Sequence, residues 1–217
     1  MILANLNKSW RMLTPLADLG FDEESHRYRY RGEWLPWSVS GIASPLTPAE
    51  REQIMAKRHE WEPRGNQVHD SLERFLRCAE PIETEFEEWC DAGRKHWLLA
   101  DSEVLATEYR LCHPRLLGGI GGSFDALVRN DDGTYLVDFK TVGGKKSVAT
   151  RKAATAQLGA YAQMLNMHHP LITITKCVTL VIGPGETRAI FEDPDACVMA
   201  WMDKVEAFKM KQELLGF

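Results

Sequence analysis

The sequence predicts an α/β protein with a mixed central β-sheet flanked by helices. The middle of the 217-residue chain changes periodicity in the order helix, three strands, helix, strand. The composition, 44% hydrophobic and 26% charged, is that of an ordinary globular protein and excludes disorder, collagen and coiled coil as overall classes. No apolar run approaches the roughly 20 residues of a membrane helix, so we expect no membrane partner.

Residues 1–62 are predicted to form an N-terminal hairpin and helical extension. The first twenty residues of this extension are expected to be an arm. His26–Arg31 alternates strictly, which predicts a strand with arginines on one face and tyrosines on the other. A turn then leads to a second strand over 34–39. A helix begins at Thr47–Glu50, because threonine caps a helix, proline suits its first turn and an early acid is favourable there.

Residues 63–192 are predicted to form the core, and residues 193–217 a C-terminal amphipathic helix that starts at Asp193-Pro194. Pro63 marks a break before the core. The expected core elements are helices at 65–77 and 84–100, strands at 103–112, 121–129 and 134–141, a helix at 153–167, and strands at 172–182 and 187–191. We expect the whole chain to be one domain.

Two charged side chains interrupt the apolar strand 134–141. Asp138 and Lys140 are two residues apart and therefore point to the same face. Asp125 interrupts the preceding strand in the same way, and a hairpin turn at 130–133 can bring it close to Asp138. Two close carboxylates repel each other unless a cation lies between them, so a hard divalent ion would explain the pair. A purely structural Asp–Lys pair is the alternative.

Three further features accompany this pair. His69 lies beside the apolar stripe of its helix, where a satisfied core histidine is the usual interpretation. Gln157 and Tyr161 share one face of the helix after the Asp–Lys strand, and Gly159 between them indicates close packing or close approach of backbone. Glu108 stands inside a strand, where pairing with Arg110 or with another surface cation is the simpler interpretation.

The ordered set GxxxH, E, GxxD, DFKT and QxxxY resembles the PD-(D/E)XK nuclease superfamily, and within it the RecB-type nuclease domain and the lambda-exonuclease-like branch. The set runs from Gly65 to about Ile182. It implies a restriction-endonuclease-like core of order α-β-β-β-α-β, which agrees with the order of elements inferred above.

The resemblance implies a role for each matching residue. His69, Asp125, Asp138 and the backbone carbonyl of Phe139 would bind metal. Lys140, Asp125, Asp138, Glu108 and Gln157 would form the catalytic set, with Lys140 positioning or activating water. Tyr161 would line the site near nucleic acid.

The implied activity is hydrolysis of DNA phosphodiester bonds with Mg²⁺ or Mn²⁺, using one or two ions. An exonuclease of phage-type recombination or DNA processing is the first interpretation. It would act in the cytoplasm, in a bacterial host if phage-encoded, with a single-strand-annealing or recombination protein as candidate partner. A structure-specific or restriction-type endonuclease and a non-catalytic nucleic-acid-binding module are the alternatives. We expect no iron–sulfur cluster, because the four-cysteine pattern of some relatives is missing, and no ATP, because there is no Walker motif.

Charge is unevenly distributed along the chain. The formal net charge is −5, yet residues 140–185 contain no Asp or Glu. The basic side chains Lys145, Lys146, Arg151 and Lys152 follow the Asp–Lys strand and could bind backbone phosphates, with a solvated loop as an equal alternative. The Arg–Tyr strand with Trp34 and Trp37 suits stacking on the bases of a single strand, although an ordinary amphipathic hairpin also explains it.

Overall fold

The computed structural model describes residues 12–215, so residues 1–11 of the expected arm and the last two residues of the expected C-terminal helix lie outside the described residues. Within that range the strands are β1 (Leu19–Asp22), β2 (Arg27–Tyr30), β3 (Glu33–Trp34), β4 (Trp37–Ser38), β5 (Glu103–His113), β6 (Ile120–Asn130), β7 (Gly133–Thr141), β8 (Lys176–Gly183) and β9 (Glu186–Glu192). The α-helices are α1 (Val39–Ala43), α2 (Pro48–Ala56), α3 (Arg58–Leu76), α4 (Glu87–Arg94), α5 (Trp97–Ala100), α6 (Lys145–Thr150), α7 (Thr155–His168) and α8 (Pro194–Leu215).

The central sheet is mixed, as the sequence predicts. Strands β5, β6 and β7 pair antiparallel in sequence order, β7 pairs parallel with β8, and β8 pairs antiparallel with β9. The short strand β4 pairs parallel with the first residues of β6. Because α7 lies between the parallel strands β7 and β8, it serves as the crossover that such a connection requires.

Helices cover both faces of this sheet. On one face α3 contributes Val68 and Leu72 to a core shared with Val137 and Phe139 of β7. On the other face α7 and α8 pack against the sheet and against each other. A Cβ on Gly159 of α7 would lie only 1.9 Å from the carbonyl oxygen of Cys197 in α8, so this glycine permits the close approach that the sequence indicates.

A second, three-stranded antiparallel sheet forms from β1, β2 and β3. Strand β2 has the predicted alternation, with Arg27 and Arg29 exposed and Tyr28 and Tyr30 half-buried. The strand expected over 34–39 is instead split into β3 and β4, and the chain enters α1 at Val39.

The predicted helix starts at Thr47 and Asp193 are confirmed. The Thr47 hydroxyl accepts from the Glu50 amide at 3.2 Å, and the Glu50 carboxylate accepts from the Thr47 amide at 2.9 Å, which completes a capping box. The Asp193 carboxylate accepts from the amides of Asp195 and Ala196 at 3.0 and 3.3 Å.

The predicted break at Pro63 is wrong, because α3 runs through it from Arg58 to Leu76. A proline inside a helix removes the bond to the carbonyl four residues earlier and crowds that carbonyl with its ring. Here the carbonyl belongs to exposed His59, so water can satisfy it. The chain turns instead at Lys57, between α2 and α3. The helix expected over 84–100 is divided into α4 and α5, since His96 has an extended backbone and its side chain caps α5.

Two further expectations change. The strand expected from residue 172 begins at Lys176. Just before it, the Thr175 amide donates to the Thr134 carbonyl of β7, and the Thr175 hydroxyl accepts from the Thr134 amide. The basic segment, for which a solvated loop is one of two equal interpretations, contains α6. None of the helices in the described part of the chain is long and apolar enough to cross a membrane.

Candidate active site at the fork between β6 and β7

The sheet divides at the point where both predicted aspartates lie. Strands β6 and β7 pair from Asn130 and Gly133 as far as Ala126 and Val137, and the pairing then ends. Asp125 and Asp138 are the next residues on the two strands. The amide of Phe139 donates to the Asp125 carboxylate instead of to a carbonyl of β6. The fork therefore places two carboxylates between diverging strands.

His69 reaches this fork from α3. Its Nδ1 lies 3.2 Å from Oδ1 of Asp125 and 3.9 Å from Oε1 of Glu108. The imidazole also makes an edge-on contact with the Phe139 ring, with 5.6 Å between ring centres. One nitrogen of His69 and one oxygen each of Glu108 and Asp125 lie within 4.8 Å of one another. The three donors thus converge on one small volume.

Glu108 reaches the cluster through an irregular backbone. Its φ is +43°, which is uncommon outside glycine. The β5–β6 pairing skips Glu108 and Asp125, passing from Thr107–Ala126 to Tyr109–Phe124. As a result Glu108 contacts His69 of α3. The neighbouring Thr107 hydroxyl accepts from Arg77, the residue that follows α3, at 2.8 Å. The simpler interpretation of Glu108, pairing with Arg110, is wrong, because the Arg110 guanidinium lies over the Phe21 ring at 5.3 Å.

Burial and neighbouring charges act against each other on the pKa values of the cluster. Burial alone would lower the pKa of His69, but the charges of Asp125 and Glu108 outweigh it and raise that pKa to about 10. Burial pushes the pKa of Asp125 up, yet His69 and Lys140 hold it below its usual value. Burial raises the pKa of Glu108 and, against the charge of Lys140, that of Asp138.

Lys140 contacts the site from the face of β7 that is turned toward α7, whereas His69 approaches from the side of α3. Its Nζ lies 2.6 Å from Oδ2 of Asp138, an ion pair without well-aligned hydrogen-bond geometry, and donates to Oε1 of Gln157 at 3.1 Å. Gln157 in turn donates to the Tyr161 hydroxyl at 3.0 Å. Asp138, Lys140, Gln157 and Tyr161 therefore form one connected polar chain between the sheet and α7.

Tyr161 supports this chain and does not face solvent. Only 3% of the residue is exposed, and its ring lies where a Cβ on Gly122 would be 2.7 Å away. Burial also raises its pKa well above the usual value. This position indicates that Tyr161 orients Gln157 from inside the core, and its nucleic-acid-binding role stays a prediction.

The donor set fits a divalent cation. Carboxylate oxygens suit Mg²⁺, and an imidazole nitrogen also suits Mn²⁺. His69, Glu108 and Asp125 offer such donors, whereas Asp138 lies outside this three-residue group and is held by Lys140. Phe139 is positioned at the site by its amide and its ring, and the metal-binding role of its carbonyl stays a prediction.

The predicted phosphate-binding residues lie on and after α6. Lys145, Lys146, Arg151 and Lys152 are all exposed, while Val148 packs into a small cluster with Val142 and Val181. Arg188 of β9 donates to the Val148 carbonyl at 2.8 Å and to the Arg151 carbonyl. These contacts hold α6 against β8 and β9, so Lys145 and Lys146 stand on a fixed helix and Arg151 and Lys152 follow it directly.

The sequence gives little sign of a cleft of about 1050 Å³ beside the cluster. Its walls come from α3 and β5, which contribute His69 and Glu108, and from the N-terminal sheet and the segment before it. That segment is fixed to β5: the Leu13 amide donates to the Leu105 carbonyl at 2.7 Å, and the Tyr109 hydroxyl donates to the Thr14 carbonyl at 2.7 Å. The signal that could have located it is the apolar alternation of Leu19 and Phe21 ahead of the Arg–Tyr strand.

Comparison with known proteins gives a family match. Residues 46–181 match the model of the PD-(D/E)XK nuclease superfamily. Among solved structures, the chain is similar to one described as "Crystal structure of SSO0001", with 16% identity over 78% of this chain and 75% of that chain and a TM-score of 0.41. It is also similar to "LHK-Exo in complex with dAMP", with 16% identity over 82% of this chain and 88% of that chain and a TM-score of 0.39. No curated protein matches the sequence.

Proposed function

The chain belongs to the PD-(D/E)XK nuclease superfamily, and from this premise we propose that it is a Mg²⁺- or Mn²⁺-dependent deoxyribonuclease that acts as an exonuclease. The observation that carries the proposal is the convergence of His69, Glu108 and Asp125 at the fork, next to the Asp138–Lys140 ion pair. A divalent ion bound there would activate water and stabilise charge on the scissile phosphate.

The protein's own side chains would divide the remaining work. His69, Asp125, Asp138 and the Phe139 carbonyl hold the ion or ions. Among the described residues, Lys140 is the cation that forms an ion pair with Asp138, so it is placed to orient a water molecule or to stabilise negative charge on the phosphate.

Glu108 and Gln157 assist from the two sides of the sheet. Glu108 adds a second carboxylate beside His69, where it can contact metal or water. Gln157 fixes the Lys140 ammonium through a 3.1 Å hydrogen bond and so limits the directions in which that ammonium can point.

Action at a DNA end is proposed from the resemblance to the lambda-exonuclease-like branch. The cleft beside His69 and Glu108, bounded by the N-terminal segment that is fixed to β5 through Leu13 and Tyr109, is the place where we propose that the DNA strand enters. The branch resemblance adds the finer proposals: a role in phage-type recombination in the cytoplasm, a single-strand-annealing or recombination partner, and a nuclease core at 63–192 between the two extensions.

The test is digestion of covalently closed circular DNA and of linear DNA labelled at either end, with Mg²⁺, with Mn²⁺ and with chelator. We expect metal-dependent loss of label from linear DNA and survival of the circles. Nicking of the circles would show that the protein is an endonuclease and not an exonuclease. Binding without cleavage of either substrate under all metal conditions would reject the enzyme and leave a nucleic-acid-binding module.

A further inference from the structure

Arg27, Arg29, Arg31 and Trp34 form a basic and aromatic surface on the N-terminal sheet, here called the Arg–Trp patch. Arg29 of β2 lies opposite Trp34 of β3 in the strand register. The guanidinium carbons of Arg27 and Arg29 lie 4.9 and 5.9 Å from the centre of the Trp34 ring. All four side chains are exposed, and Trp34 keeps 45% of its surface open to solvent.

The opposite face of β2 fixes this patch to the nuclease core. Tyr28 points inward, and a Cβ on Gly121 of β6 would lie 2.3 Å from its ring. The ring therefore rests on the bare backbone of β6, a few residues before Asp125. The Arg–Trp patch is thus mounted on the strand that carries a residue of the candidate site.

The patch adjoins the cleft along the chain. Glu23 and His26, in the connection between β1 and β2, line the cleft together with His69 and Glu108. Arg27 is the next residue along the chain. A ligand bound along the outer face of β2 would therefore arrive at the cleft mouth beside His69.

The arginines of the patch form no ion pair in the part of the chain that the structure describes. No carboxylate oxygen of that part lies within 4.0 Å of a guanidinium nitrogen of Arg27, Arg29 or Arg31. Asp22 faces Arg27 in the register, but its carboxylate accepts from the amide and hydroxyl of Ser25 at 2.7 and 2.5 Å. The three guanidinium groups are therefore free of ion pairs and open to phosphate, although Asp22, Glu23, Glu24 and Glu33 lie near them in the sequence.

We propose that the Arg–Trp patch binds single-stranded DNA and leads it to the cleft, an inference that rests on the proposed nuclease function. Guanidinium groups bind backbone phosphates, and the planes of Trp34 and of the arginines above it offer stacking surfaces for bases. In a duplex the bases are already stacked on each other and shielded, so an exposed tryptophan adds affinity only for an unpaired strand. Phosphate binding alone would not use the ring.

The test is binding of a labelled single-stranded oligonucleotide and of the matching duplex in chelator, so that no cleavage occurs. Trp34→Ala is expected to weaken single-strand binding by between about 5- and 150-fold, the range for loss of one stacked base, and to leave duplex binding unchanged. Trp97→Ala is the matched control, because Trp97 is 43% exposed at a distant place in the fold. Circular dichroism checks that both variants are folded.

The arginines give a second measurement. Arg29→Ala is expected to reduce the slope of log affinity against log salt by about 0.7 for a single strand, while Lys176→Ala, an exposed lysine at the far end of β8, leaves it unchanged. Unchanged single-strand affinity in both Trp34→Ala and Arg29→Ala would overturn the proposal. Equal losses for duplex and single strand in Trp34→Ala would overturn the single-strand preference.

The outcome is separable from that of the proposed function. One possible result is that the patch variants lose single-strand binding in chelator while the unaltered protein fails to cleave DNA with any of the metals. This result would support the binding role of the patch and reject the nuclease activity. Normal cleavage and normal single-strand binding in the patch variants would keep the activity and reject the patch.

Discussion

Lys140 and Asp138 form an ion pair with 2.6 Å between Nζ and Oδ2, and His69 compensates Asp125 in the same way from the other face of the sheet. Each aspartate of the fork therefore has its own cation. Without a metal ion the buried carboxylates are already balanced, which permits a stable fold around a highly charged site. Because metal ligands must be free of protons, bound metal would replace the His69 proton.

The first prediction concerns the ammonium of Lys140. Lys140→Ala should lower the single-turnover cleavage rate by about 10²- to 10³-fold, because this charge acts on the developing transition state. DNA affinity should remain nearly normal, since other side chains bind the backbone. Single-turnover rates at saturating DNA and a binding isotherm, measured on the same preparation, check both statements.

The expected stability of this variant provides its control. Removal of Lys140 leaves Asp138 buried without its partner, so the free energy of unfolding should fall. A variant that loses DNA binding but cleaves at the normal rate once saturated would show that Lys140 is a binding residue.

The second prediction concerns the aspartates. Asp125→Asn and Asp138→Asn should each abolish metal-dependent cleavage, because an amide oxygen cannot replace the charge of a metal-binding carboxylate. Mn²⁺ should raise the melting temperature of the unaltered protein, and the Asp125→Asn protein should lose this increase. Thermal unfolding with and without Mn²⁺ measures this independently of activity. Mg²⁺-dependent cleavage retained by either variant would reject the assigned site.

The third prediction separates two roles of His69. If His69 binds metal, His69→Ala should lower cleavage strongly at low Mn²⁺ and much less at saturating Mn²⁺. A histidine that only fills the edge of the core would instead lower thermal stability equally at all metal concentrations. Cleavage rate and melting temperature across one Mn²⁺ titration distinguish the two results.

Regular periodicity is what made the core predictable. The order of helices and strands, the mixed sheet and the shared face of Asp138 and Lys140 follow from repeats of two and of 3.6 residues. The sequence also indicated the close backbone at Gly159. These features depend on local pattern, which the chain carries in every few residues.

The irregular parts could not be read from that pattern. The positive φ of Glu108 and the skipped pairing at Asp125 direct both side chains toward His69, and no repeat in the sequence marks them. The burial of Tyr161 depends on Gly122, a residue of another strand. A proline inside a helix costs about 3 kcal/mol, and helix α3 continues through Pro63 because the packing of Val68 and Leu72 on the sheet offsets that cost.

The fourth prediction concerns α6 and the residues after it. Lys146→Ala should weaken duplex binding for all sequences alike and reduce the salt slope by about one unit, as expected for one lost phosphate contact. Turnover at saturating DNA should change little. Lys176→Ala again serves as the control for a lost positive charge. A salt slope unchanged by Lys146→Ala would place this lysine outside the DNA interface.

The last prediction compares two glycines within helices. Replacement of a helical glycine by alanine normally stabilises a protein by about 1 kcal/mol. At Gly65 of α3 a new Cβ would be 3.8 Å from the Thr141 hydroxyl, an ordinary contact, so Gly65→Ala should raise the free energy of unfolding. At Gly159 the Cβ would lie 1.9 Å from the carbonyl oxygen of Cys197, so α7 and α8 would have to separate. Gly159→Ala should therefore destabilise the protein by about 1–3 kcal/mol or more. Urea unfolding of the two variants beside the unaltered chain measures both changes, and a Gly159→Ala protein as stable as Gly65→Ala would contradict the close packing of α7 on α8.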